Sequence, residues 1–186
     1  KIKYIFFDLD RTLWDFEINS KQTLADIFFQ FKLNEIGVPS LEDFINKYQI
    51  HNEALWKLYR EDNIEKEELR SKRFNLTLKD YDIYNEQLAF DIGEQYVRES
   101  PIKTKLFPFT IEVLEYLYQR YDLHIITNGF QEVQYVKLNN SNILKYFKNV
   151  VTSEEVGKKK PSPAIFNLRA SINKSFSRIL GTFSKS

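Results

Sequence analysis

The stretch Ile5-Phe6-Phe7-Asp8-Leu9-Asp10-Arg11-Thr12 decides how this chain is read. An apolar, β-forming run ends in two carboxylates one residue apart. This predicts a buried strand, Lys1 to Asp8, with both acids at its C-terminal edge. In open α/β sheets ligands bind outside that edge. A charge withdrawn from water is costly unless it is paired or bound to metal. Two acids at one strand end therefore point to a hard cation between them, with Mg²⁺ the expected one. The pair also divides into two chemical roles, a nucleophile and a general acid/base. Asp is equally common at helix N-caps and in solvated turns, and the pentapeptide alone leaves both readings open.

The bulk composition narrows the field. The chain has 186 residues, 42% hydrophobic and 28% charged, which suits a globular protein with one core plus an insertion. A net charge of +1 argues against a nucleic-acid polymer held by a global basic field. No apolar run approaches the roughly 18 residues of a membrane helix, and no signal peptide is expected, since the residues read as strand at once. The expected location is the cytoplasm, without a membrane partner. The chain contains no cysteine, which excludes a disulfide scaffold, a thiolate metal site and cysteine catalysis.

Working outward, the character turns helical from Phe16 to about Ser100. Ser20 is placed to cap a helix with Leu24, Ile27, Phe28 and Phe31 on one face. Ser40-Leu41-Glu42-Asp43 resembles a capping box, with Phe44, Ile45 and Tyr48 behind it. Leu55, Trp56 and Tyr59 form another stripe, and Leu88, Ile92 and Tyr96 a last one. No strand is expected here, and the aromatic residues read as core. After Pro101 an α/β rhythm begins. A helix carries Ile111, Leu114, Leu117, Tyr118 and Tyr121, and a strand follows over Leu123-His124-Ile125-Ile126, ended by Thr127-Asn128-Gly129. Next come a helix through Val133, Val136, Leu138 and Leu144, a strand from Asn149 to Thr152, a helix from Pro163 to about Ser171 and a strand from Ser177 to Leu180. Alternation of this kind implies a parallel sheet with right-handed crossovers. Asp8, Asp10, Thr127 and the loop holding Lys158, Lys159 and Lys160 then meet at one sheet edge.

That constellation suits a phosphate monoester. A carboxylate attacking a phosphate dianion meets a repulsion of about 8 kcal/mol at 4 Å with an effective dielectric near 20. Mg²⁺ held by Asp8 offsets part of it, and a lysine at the strand edge another part. Thr127 and the amide of Asn128 can donate to the remaining phosphoryl oxygens. Asp10 stands where it can protonate the leaving alcohol and later activate water. Thr127-Asn128-Gly129 would serve as a plain turn as well, and the lysines as a solvated loop. His51 and His124 receive no role.

These segments resemble the haloacid dehalogenase (HAD) superfamily. Asp8 to Thr12, Ile126-Thr127-Asn128-Gly129, Thr152 to Gly157 and Lys160-Pro161-Ser162-Pro163-Ala164-Ile165-Phe166 are similar to its motifs one to three. The insertion after motif one resembles the helical cap of its first subclass. Phe7 to Glu17 is similar to the YjjG-like nucleotidase group. The resemblance implies a Rossmann-like parallel α/β core over 1–14 and 101–186, with a helical cap over 15–100 that selects the substrate. It makes Asp8 the nucleophile, Asp10 the acid/base and a metal ligand through its carbonyl, Thr127 the phosphate clamp and Lys160 the charge stabiliser. Asn128 joins Thr127 and Lys160 as substrate-binding residues, and Asp8 and Asp10 hold the Mg²⁺.

Two features depart from the family pattern. Arg11 replaces the usual small residue of motif one. The fourth motif, an acidic pair that completes the metal site, has no counterpart: from Val156 to Ser186 there is no Asp or Glu. A truncated end, a frame-shifted end or an incomplete sequence would each account for this. The function expected is Mg²⁺-dependent hydrolysis of a small phosphorylated metabolite through an aspartyl-phosphate, nucleoside monophosphates included, by a monomer or weak homodimer. The alternatives are a metal-independent 2-haloacid dehalogenase and an impaired member that binds phosphate ligands without turnover.

Overall fold

The computed structural model of the protein describes residues 2–166. The chain divides into two compact units. One comprises the residues up to Phe16 together with those from Thr104 on, and the other is Glu17–Lys103.

In the first unit β1 (Tyr4–Phe7), β2 (Asp122–Thr127) and β3 (Phe147–Thr152) form a parallel sheet in the order β1-β2-β3. Phe7 pairs with Ile125, and Thr127 with Thr152. Asp8 therefore leaves β1 beside the end of β2. The central strand is buried without alternation from Leu123 to Thr127, as expected of a strand covered on both faces. The first strand differs from the sequence reading. It is shorter than Lys1 to Asp8 and only half-buried. Ile5 and Phe7 pack toward the core, while Tyr4 and Phe6 are exposed. Among the described residues β1 has a strand neighbour on one side only, so alternation replaces continuous burial.

Leu9, Trp14, Leu114, Leu123, Ile125 and Leu138 are fully buried in the core of this unit. Beyond β1 the chain folds back on itself. The Leu9 carbonyl accepts N–H groups from Thr12, Leu13 and Trp14. Arg11 holds a left-handed φ of 62°, and its guanidinium lies 4.9 Å from the Phe16 ring centroid. A left-handed backbone favours glycine, which gives a physical reason for a small residue at this position. The main chain of Leu13 and Asp15 then pairs with Phe107 and Lys105, which fastens the loop to the returning chain.

The helices of this unit are α5 (Thr110–Tyr118), α6 (Gln131–Asn140) and the short α7 (Ser153–Val156), numbered after the four of the other unit. The buried face of α6 is not the one its valines suggest. Gln134, Lys137 and Leu138 are buried, Val136 is exposed, and Leu144 lies in a separate 3-10 turn. The i, i+3, i+4 stripe is intact, but two of its three residues are polar because that face ends on a polar site. The strand expected at Ser177–Leu180, and the last helix beyond Phe166, lie outside the described residues.

The Glu17–Lys103 unit is helical: α1 (Phe16–Gln30, all but its first residue), α2 (Leu41–Arg60), α3 (Lys66–Lys79) and α4 (Glu86–Glu99). Ser40 caps α2 by accepting the Asp43 N–H at 3.2 Å, and the two expected stripes of 44–48 and 55–59 share this one helix. Ser20 is not a cap, because α1 begins at Phe16. It is buried and shares a 2.8 Å hydrogen bond with the Tyr96 hydroxyl. Phe28, Phe44, Tyr48, Phe74 and Tyr96 are core residues. Arg73 is buried among them, with its guanidinium 4.6 Å from the Tyr96 ring centroid and bonded to the Asn52 side chain. Among the described residues no helix is long and apolar enough to cross a membrane.

His124 on β2 is buried and stacked on Phe6 at 5.0 Å. Its Nδ1 is bonded to the Asn149 side chain, and its Nε2 has no partner among the described residues. Burial holds its pKa below the usual 6.5, against an opposing pull from Asp122. The unfolded chain takes up this proton at the ordinary value while the folded chain resists it. Stability is therefore intact above 6.5 and lost as pH falls from there through the lower folded value. The melting temperature should fall between about pH 7.5 and about pH 5.5, and His124→Phe should fall less. Equal falls in the two proteins would contradict this account of His124.

Candidate active site

The tight return after β1 keeps Asp8 and Asp10 at the sheet edge, and β2 ends there with Thr127. The Asp8 carboxylate accepts the Leu9 N–H at 2.9 Å through Oδ1 and the Lys160 ammonium at 2.7 Å through Oδ2. Its side chain is 45% exposed, so a ligand has access to it. The same Lys160 Nζ donates to the Ile126 carbonyl at 3.0 Å. One ammonium thus joins the ends of β1 and β2.

The side chain of Asn128 serves the loop that carries Lys160. Its side-chain amide is committed to the main chain of Lys160. Oδ1 accepts the Lys160 N–H at 2.7 Å, and Nδ2 donates to the Lys160 carbonyl at 3.0 Å. In this geometry the side chain orients Lys160 and is not offered to a ligand. The physical reason is that the loop carrying Lys160 has no regular partner strand at this point, so a side chain satisfies its backbone.

Thr127 Oγ1 accepts two hydrogen bonds, from the Gly129 N–H at 3.0 Å and from Gln134 Nε2 at 2.7 Å. A hydroxyl has two lone pairs and one proton. With both lone pairs engaged, its remaining capacity is to donate. Thr127 is accordingly preset as a donor at the end of β2.

Two residues on α6, absent from the sequence reading, close the site. Lys137 Nζ lies 2.6 Å from Asp10 Oδ1 and 4.3 Å from the centroid of the Trp14 ring. Gln134 Nε2 donates to Asp10 Oδ2 at 2.8 Å as well as to Thr127. Lys137 is 6% exposed, so its charge is withdrawn from water and matched by Asp10. The signal available in the sequence was the polar stripe Gln134-Lys137-Leu138 at i, i+3, i+4.

The site offers an open carboxylate beside a cation, a second carboxylate two residues on and a preset hydroxyl donor. Its oxygen donors are the Asp8 carboxylate and the Asp10 main-chain carbonyl, to which no backbone N–H among the described residues donates. Among the described residues no cluster of three or more His, Cys, Asp or Glu stands ready for a metal.

Comparison with known proteins places this geometry. A family model described as haloacid dehalogenase-like hydrolase matches residues 2–171. The chain is 31% identical over 185 residues to the pyrimidine 5'-nucleotidase YjjG of Escherichia coli strain K12, covering 97% of this chain and 76% of that protein. It is 28% identical over 167 residues to YfnB of Bacillus subtilis strain 168, covering 90% of this chain and 68% of that one. The crystal structure of YfnB bound to magnesium superposes with a TM-score of 0.81 at 27% identity, over 90% of this chain and 72% of that one. The L-2-haloacid dehalogenase of Xanthobacter autotrophicus shares the fold, with a TM-score of 0.65 at 16% identity over 92% of this chain and 65% of that one. Sequence and fold agree, and this chain belongs to the haloacid dehalogenase-like hydrolase family.

Proposed function

We propose that the protein hydrolyses small phosphate monoesters, nucleoside monophosphates among them, through a phosphorylated Asp8. The observation that carries this reading is the Asp8 carboxylate at the end of β1, open to solvent and paired with Lys160 at 2.7 Å. The pyrimidine 5'-nucleotidases YjjG and PynA and a glyceraldehyde 3-phosphate phosphatase among its relatives support the substrate class.

The Asp8 carboxylate and the Asp10 carbonyl are hard oxygen donors of the kind Mg²⁺ takes. Two protein oxygens supplemented by water and substrate phosphate make an ordinary Mg²⁺ arrangement. When bound there, Mg²⁺ supplies positive charge against the repulsion between carboxylate and phosphate. Lys160 adds a fixed charge on the other side of Asp8. Thr127 donates its one free hydroxyl proton to a phosphoryl oxygen. In the first half-reaction an Asp8 oxygen bonds to phosphorus, the ester P–O bond breaks, and a proton passes from Asp10 to the leaving oxygen. In the second, water adds to phosphorus, its proton returns to Asp10, and the bond from Asp8 to phosphorus breaks.

Asp10 also weighs against haloacid dehalogenation. That reaction needs a carboxylate nucleophile, but a halide leaves without a proton and without a metal. An acid that protonates the leaving group has no task in its displacement step.

Asp8→Asn should lower phosphate release by about 10³-fold or more, because an amide neither attacks phosphorus nor holds the cation. The melting temperature should change little, since Asp8 is half exposed. Near wild-type turnover in a folded Asp8→Asn protein would refute the assignment. Asp10→Asn should cost about 10²- to 10⁴-fold on a nucleoside monophosphate, whose alkoxide needs the proton, and at least about tenfold less on p-nitrophenyl phosphate. Equal losses on the two esters, measured as kcat/KM so that only the step that expels the leaving group is read, would remove the leaving-group proton role from Asp10.

A further inference from the structure

The geometry points to α6 as the device that positions Asp10, with Gln134 and Lys137 as positioning residues and Gly129 as the space that admits Gln134. This inference rests on the proposed phosphate-ester chemistry, and Gln134 and Lys137 lie outside the motif positions.

Three observations carry it. The first is that both oxygens of the Asp10 carboxylate are taken by α6, one by Lys137 at 2.6 Å and one by Gln134 at 2.8 Å. A carboxylate held by two donors from two side chains has one orientation. Each of its oxygens still keeps a lone-pair position for the travelling proton. The second is that Gln134 Nε2 is shared between Asp10 and Thr127. The acid/base and the phosphate donor are thereby fixed to one another through a single amide group. Gln134 is fully buried, which leaves its side chain little freedom to leave that position.

The third observation concerns Gly129. It does not adopt the left-handed backbone, so a turn does not require glycine there. A Cβ at this position would instead lie 2.2 Å from Gln134 Nε2, 2.5 Å from its Cδ and 3.0 Å from its Cγ. The obstacle is the far end of a flexible side chain rather than backbone. A methyl group at 129 is therefore accommodated by expelling the Gln134 amide, and both of its bonds are lost with it. The glycine that ends the Ile126-Thr127-Asn128-Gly129 segment serves as a hole for a side chain five residues on.

The consequence is specific to the proton step. Misplacing a reacting group by about 1 Å is enough to cost on the order of 100-fold, and here the misplaced group is the one that meets the leaving oxygen. Gln134→Ala, Lys137→Met and Gly129→Ala are to be compared with the unaltered protein in millimolar Mg²⁺, on a nucleoside 5'-monophosphate and on p-nitrophenyl phosphate. Each variant should lose about 10- to 100-fold in kcat/KM on the nucleoside ester and about threefold or less on the aryl ester, since kcat/KM reads the step that expels the leaving group. Gly129→Ala should add nothing in a Gln134→Ala background, because there is no longer a side chain to expel.

Equal losses in kcat/KM on both esters, unchanged kcat/KM, or additive effects of Gly129→Ala and Gln134→Ala would overturn the inference. If Lys137→Met fails to fold, the Gly129 and Gln134 pair still decides it, since expulsion of Gln134 leaves the lysine in place. If the unaltered protein releases phosphate from neither ester, the phosphatase reading fails and this inference fails with it. If it is active and Asp10→Asn is selective for the nucleoside ester while the α6 variants are not, only the inference fails.

Discussion

Two carboxylates one residue apart at a strand end repel one another and any anion that approaches. At about 4 Å and an effective dielectric near 20, each such repulsion is on the order of 4 kcal/mol. The site is arranged around this constraint. Each aspartate has its own lysine, drawn from a different part of the chain: Lys160 on Asp8 and Lys137 on Asp10. The first pair is open to solvent on the aspartate side and the second is withdrawn. That asymmetry separates a carboxylate available to a ligand from one held in place.

The sheet makes this neutralisation possible. Parallel pairing of β1 with β2 and of β2 with β3 brings three strand ends to one edge. Elements far apart in sequence then meet there without a long loop having to be ordered for the purpose. Lys160 is held twice, through its ammonium on the Ile126 carbonyl and through its backbone on Asn128. Thr127 is held through both of its lone pairs. The groups proposed to meet a phosphate are therefore oriented before one arrives, which is the condition for electrostatic stabilisation of a transition state.

Much of this was legible in the sequence. Asp8 and Thr127 stand out because they follow apolar runs, and a strand end is visible as a change in composition, while Lys160 stands out as part of a lysine triplet before Pro161. The alternating strands and helices after Pro101 read directly as a parallel sheet. The helical stretch from Phe16 read as such through its aromatic stripes, although α3 went unmarked. Its polar sequence carries only Leu69, Phe74 and Leu78 as buried apolar residues. Gln134 and Lys137 were missed for the opposite reason. A buried helix face is sought by its apolar residues, and Val133 and Val136 suggested a face that the helix leaves half-buried at Val133 and exposed at Val136. Polar residues are buried only where partners wait for them, and the partners, Asp10 and Thr127, belong to other elements. Asn128 shows the same limit: its type suited a ligand donor, but the unpaired backbone that it serves is a property of the folded loop. Arg11 is legible only through its φ of 62°.

The central claim is that the Asp8 carboxylate becomes phosphorylated. The direct measurement is to quench the protein during turnover of a phosphate ester, reduce it with borohydride and map the modified residue by mass spectrometry. An acyl-phosphate is reduced to an alcohol, so the account predicts homoserine at position 8 and unmodified Asp10, with no modification in the absence of substrate. Phosphate release during steady turnover with no reduction at position 8, or reduction at another residue, would contradict it.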